Sequence, residues 1–187
     1  MIRITSIIFS ISYVISAFLY SSFNPTKKYF CDLFIPQVGY HTKLSPSTIF
    51  AIGALISISI AVIGFFFWFS KQINSSKSKS QIIKILGCIS GLLIASIGFR
   101  DIHDQALLLA IIFGIVPIAM IMLEVVKNWK KYSPILGLIS FSILTFYTSS
   151  FYLNLFEPLW PVLQKISILL CLIWMNKVVM QKQQDNS

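Results

Sequence analysis

Six stretches of the chain, at about 4–22, 47–69, 82–99, 106–126, 134–152 and 162–179, stay predominantly apolar for long enough to cross a bilayer. A crossing takes about 20 such residues, or somewhat fewer in an untilted helix. Inside lipid the backbone finds no water to bond, so each stretch must be a helix or a strand of a closed barrel. None shows the alternating period of a barrel strand. The expected fold class is therefore all-α. It is a polytopic membrane protein with six transmembrane helices in one bundle, forming a single integral membrane domain over 1–187. Only 11% of residues are charged and 56% are hydrophobic, whereas water-soluble domains carry roughly 25% charge.

The first stretch follows Arg3, as the core of a secretory signal peptide would. It is as long as a full crossing, and Ser21-Ser22 make no A-x-A cleavage site, so it is read as a retained helix. Basic residues gather in cytoplasmic loops. Placing both termini in the cytoplasm leaves Arg3, Lys71, Lys77, Lys79, Lys84, Lys127, Lys130, Lys131, Lys177 and Lys182 inside. Only Lys27, Lys28, Lys43, Arg100 and Lys165 then lie outside. The formal charge of +9 follows from this loop bias, so no nucleic-acid partner is expected. The expected setting is the lipid bilayer of a plasma (inner) membrane, with cytoplasmic N- and C-termini.

Ser45-Pro46 and Ser133-Pro134 each put a capping hydroxyl before a proline that opens a helix. Residues 74–80 read as a flexible basic linker and 128–132 as a tight inner turn. Residues 24–44 form the longest loop. Within it Tyr29, Phe30, Leu33 and Phe34 share a face at helical spacing, as in a short surface helix. Cys31 falls on its polar side, where a membrane-impermeant thiol reagent would reach it.

Helices associate in lipid where small residues let backbones approach. Gly87, Gly91, Ala95 and Gly98 recur on one face of the third span, which is therefore expected at the centre of the bundle. Its single GxxxG also suits a homo-oligomer face, the alternative to packing within the chain. The fifth span is rich in hydroxyls, from Ser140 to Ser150. These either bond back to their own helix or line a cleft.

Candidate chemistry collects on the outer side: Asp32, His41, Arg100, Asp101, His103, Asp104 and Glu157. Asp101 is expected to cap the fourth helix and Asp104 to complement its dipole. The functional reading brings Asp32 and His103 into one outer site, where a carboxylate beside an imidazole makes a pH-dependent base. No span carries a charge near its centre, which disfavours an ion-coupled carrier. The three cysteines form no CxxC, and no P-loop, dinucleotide fingerprint or haem-ligand pair is present. No cofactor or metal is assigned. The Gly-x-x-x-Gly serine at Ser90 lacks a histidine in a later span, and Pro36-Gln37 lacks the second copy that PQ-loop carriers have.

In Cys31-Asp32-Leu33 after the first span, and in Gly91 to Gly98 leading to His103-Asp104-Gln105-Ala106, the chain resembles a family. These are the six-span membrane proteins grouped as domain of unknown function 998. The resemblance implies the same architecture and no established reaction. Arg100 and Asp101 depart from its pattern. The expected function is binding or moving a small or amphiphilic ligand in an outward-facing polar pocket. One alternative is a membrane-embedded, metal-assisted hydrolase using His103 with Asp32 or Asp104. Another is an assembly protein without catalysis.

Overall fold

The computed structural model describes residues 1–33, 45–73, 76–128 and 134–185. Among them run α1 (Ile2–Leu19), α2 (Pro46–Gln72), α3 (Lys77–Ser96), α4 (His103–Asn128), α5 (Pro134–Tyr152) and α6 (Trp160–Asp185). No strand occurs among the described residues, and all six helices are long and apolar enough to cross a membrane. The chain is a multi-pass integral membrane protein.

The helices outrun several of the apolar stretches. Ser76 caps α3 by accepting the Lys79 amide at 3.4 Å, so the second half of the expected 74–80 linker is the first turn of the helix. Lysine is a good helix former, and a helix need not stop where the lipid does. The polar tail likewise continues α6 to Asp185, whereas α1 stops at Leu19. Ser45 caps α2 as expected, accepting the Thr48 amide at 3.1 Å before Pro46. Ser133 and residues 129–132 of the expected inner turn 128–132 lie outside the described residues, and Asn128 belongs to α4.

Successive helices run antiparallel, so both termini lie at one end of the bundle, here called proximal. There Met1 sits against Gly64 of α2, and the Ser6 hydroxyl accepts from Asn176 of α6 at 2.8 Å. At the distal end the Ser16 and Ser47 hydroxyls each donate to the other's backbone carbonyl, at 2.8 and 2.9 Å. This reciprocal pair satisfies two polar groups in lipid, where leaving them unbonded is costly.

The small-residue face of α3 meets α2. Gly87 lies directly against the Phe66 ring, Gly91 against Ile63 and Gly98 against Leu55. The Ser59 hydroxyl reaches the Gly91 carbonyl at 2.5 Å. On the neighbouring face, Ser90 donates to the Ala110 carbonyl of α4 at 2.7 Å beside Gly114. Ala95 is half-buried. The Gly87–Gly91 pair is thus filled within the chain by α2. Yet α3 is not the centre. The apolar window of α2 is 56% buried against 22% for α3. Glycines let the partner approach while burying little surface of their own helix. The opposite face of α3 presents Leu92, 61% exposed, and Ile85 to the surroundings.

Two apolar clusters stack along the bundle. Phe65, Phe66, Phe69, Ile121, Val125, Trp174 and Val178 close the proximal half. Phe9, Phe30, Leu33, Ala54, Leu55, Ile97 and Leu172 fill the distal half. α1 to α4 pack as a continuous layer and α5 pairs with α6, whereas α4 and α5 touch little.

Candidate functional site

The sparse contact between α4 and α5 leaves a cavity of about 230 Å³ enclosed by α2 to α6. Its walls are overwhelmingly apolar, from Val62, Phe65 and Phe66 on α2 to Ile168 and Leu172 on α6. Ile115 and Thr145 line it and are themselves exposed, which marks its opening toward lipid between α4 and α5. Hydroxyls of α5 occupy one wall: Ser140 donates to Leu136 O at 2.7 Å and Thr148 to Leu144 O at 2.8 Å. Self-bonding and cleft-lining, set against each other above, hold together. The bonded proton satisfies the hydroxyl, and both residues still line the space.

Tyr147, Thr148 and Gln164 gather toward the distal end of the cavity. Tyr147 is buried there beside Gln164 of α6. The Gln164 carboxamide oxygen accepts from the Phe30 amide at 2.8 Å, and its nitrogen donates to Cys31 Sγ at 3.7 Å. One residue on, Lys165 donates to Lys28 O at 2.5 Å and Pro161 O at 2.8 Å. Two adjacent α6 side chains therefore pin the first loop over the cavity. The 3-10 turn Cys31–Leu33 of that loop inserts into the bundle. Phe30 is 4% and Leu33 1% exposed.

This differs from the surface helix expected there. Phe30 and Leu33 are buried together, but Cys31 is buried with them, because the turn is drawn into the bundle by the Gln164 bonds and is covered on more than one side. Cys31 is buried, not accessible, and burial pushes its thiol up to about 12. Burial also raises Tyr29, with the nearby Glu157 and Asp32 carboxylates adding to it. Phe34 lies outside the described residues.

The expected outer site is only partly assembled. Asp32 is half-buried and its carboxylate accepts the Tyr29 amide at 2.7 Å, closing its own turn. Asp32, Glu157 and Asp104 stand within electrostatic range of the Tyr29–Cys31 turn. His103 bonds elsewhere, its Nδ1 lying 2.7 Å from Ile97 O. Neither Asp32 nor His103 bonds the other. Asp101 lies exposed in the 3-10 turn Arg100–Ile102, and α4 begins at His103. No capping bond from Asp101 exists among the described residues. Asp104 does occupy the first turn of α4. Arg100 is placed by its backbone alone, its side chain lying outside the described residues, as does the whole of His41. Among the described residues no three His, Cys, Asp or Glu side chains gather as metal ligands.

The sequence singled out neither Gln164 nor Ser59, and it marked Lys165 only for topology and Tyr147 only as one of the polar residues of the fifth span. For Gln164-Lys165 a signal existed: two polar residues inside an otherwise apolar span, which in membranes mark functional or packing positions. Ser59 carried none, since a serine in an apolar run satisfies itself as readily as it satisfies a neighbour. No protein-family model matches the chain, and neither the curated proteins nor the solved structures contain a significant match to it.

Proposed function

We propose that this integral membrane protein binds or moves a small amphiphilic, lipid-like ligand in the cavity between α4 and α5. The observation that carries the reading is the cavity's lining. Its walls are apolar with a few placed polar groups: Tyr147, Thr148 and Gln164 toward the distal end, and Ser140 and the Trp174 Nε1, unbonded among the described residues, toward the proximal end. An apolar pocket with few placed polar groups is the usual form of a ligand site, and this one suits a chain with a polar head. It replaces the outward polar pocket expected from the acidic loops. The hydrolase alternative would need His103 to act through Nε2, since its Nδ1 is held by the Ile97 carbonyl and neither Asp32 nor Asp104 bonds it. The same proposal places the termini in the cytoplasm and the chain in the plasma membrane, on the basic-residue bias. It keeps the chain beside the six-span proteins it resembles.

The test is lipid analysis of the purified protein. Wild type should carry a defined amphiphile. Leu144→Trp, which fills the cavity from α5, should lose it by about tenfold while unfolding at a similar temperature. Identical lipid content in both proteins would refute the reading.

A further inference from the structure

Lys165 presents a charge in an unusual place. It lies five residues into α6, so about 7.5 Å below the start of that helix. Its side chain is half-buried. Two of its ammonium protons go to the carbonyls of Lys28 and Pro161. No carboxylate pairs with it among the described residues. Asp32 acts on it only at longer range, its own carboxylate engaged by Tyr29. A cation withdrawn from water is costly without a counter-charge, and one ammonium proton remains uncommitted.

A second hollow of about 220 Å³ leads to this ammonium, between α1 and α6. It is distinct from the central cavity and faces outward. α1 meets α6 at the proximal end through Asn176 and Ser6, and beyond that point the two helices have little contact. The groove is walled by Phe9, Tyr13 and Val14 on α1 and by Ile168 and Leu169 on α6, with Phe30 at its back. Phe9 and Tyr13 stack with their rings 9° from parallel, and Phe30 packs edge-on to Phe9. Val14 and Leu169 form an exposed apolar rim. Lys165 caps the distal end, its ammonium 5.7 Å from the Phe23 ring.

We infer that this groove holds one membrane phospholipid, with its phosphate on the Lys165 ammonium and an acyl chain against Phe9, Tyr13 and Leu169. Charge complementarity commits the groove to an anionic lipid. The ammonium bends back toward Pro161, as a lysine stem does when it snorkels toward the head-group layer. A lipid whose head carries its own cation would bring a competing charge to the same place. The inference does not depend on the central cavity's occupant.

Native mass spectrometry of detergent-purified protein, titrated with dioleoylphosphatidylglycerol, tests it. Wild type should retain one lipid at least fivefold more tightly than dioleoylphosphatidylcholine. Lys165→Gln should abolish that preference, Lys165→Arg should keep it, and Lys27→Gln on the exposed loop should not change it. Val14→Trp obstructs the groove without touching Lys165 and should weaken retention of the anionic lipid, so the idea stays testable if Lys165→Gln fails to fold. Equal retention of the two lipids by wild type would overturn the inference. Full retention by Val14→Trp, or displacement of the lipid by millimolar inorganic phosphate alone, would do the same.

Discussion

Cys31 shows how one residue's surroundings set its chemistry. The Gln164 amide points at its sulfur, and the turn that carries it is driven into the bundle by Phe30 and Leu33. Desolvation penalises the thiolate more than the hydrogen bond helps it, so the thiol is pushed up to about 12 from an ordinary 9.0. Only the thiolate attacks alkylating reagents. Iodoacetamide modification of Cys31 in the folded protein, followed by peptide mass spectrometry, should therefore be slow at pH 8. It should still climb about tenfold per pH unit past pH 9, where an exposed thiol levels off. A plateau near pH 9 would contradict the buried turn. The sign for stability follows from the same shift. The folded chain holds this proton more tightly than the unfolded chain, so the contribution is present below pH 9 and is lost as pH rises toward 12.

At the scale of elements, α2 and α3 are held by backbone approach and not by side-chain volume. A β-carbon at Gly91 would collide with Ile63 and come within 3.3 Å of its backbone nitrogen, so the helices would have to separate. Gly91→Ala should cost about 1–3 kcal/mol, the usual range for overpacking. Leu92→Ala, on the exposed neighbouring position, should stay within about 0.5 kcal/mol. Thermal unfolding of both variants in detergent gives the comparison. Equal midpoints would mean that α3 does not use its glycines to reach α2. The Ser59–Gly91 bond adds a polar clasp at the same crossing, one of a kind that in membranes contributes about 0.6 kcal/mol on average.

Taken as a whole, the molecule is a four-helix layer with a helical hairpin set against it. The hairpin joins through the proximal aromatic cluster, where Phe65 and Trp174 pack edge to face at 5.6 Å, and through the Gln164 and Lys165 bonds to the first loop. Between these two attachments lies the central cavity, where packing contacts are absent. Regions with fewer buried contacts open at lower free energy. Hydrogen exchange in lipid nanodiscs should accordingly show α5 exchanging at least tenfold faster than the middle of α2. Uniform protection of the two would mean that the cavity does not weaken the hairpin's attachment.

Several features were legible in the residues because they depend on local composition alone. The bilayer forces a helix wherever an apolar stretch is long enough, so α5 spans the expected 134–152 and Ser45 caps α2 where the serine–proline pair foretold it. Glycines 87, 91 and 98 announced a close contact because they lack the surface that would prevent one. Which helix would fill that face, and that α2 would be the more buried partner, depended on side chains far along the chain: Phe66, Ile63 and Leu55. The acidic and histidine residues of the distal loops were read as one site from their partition alone, but partition carries no distances. His103 and Asp32 each found a nearer backbone partner. Gln164 meets Phe30 across 134 positions of sequence, and no local pattern encodes such a meeting. Burial of the Cys31 turn follows from that contact, and Lys165, with no carboxylate on it among the described residues, lies one position further along the same helix. Local sequence determined which segments cross the membrane, and only the packing of those segments decided where polar groups would be left to bind something else.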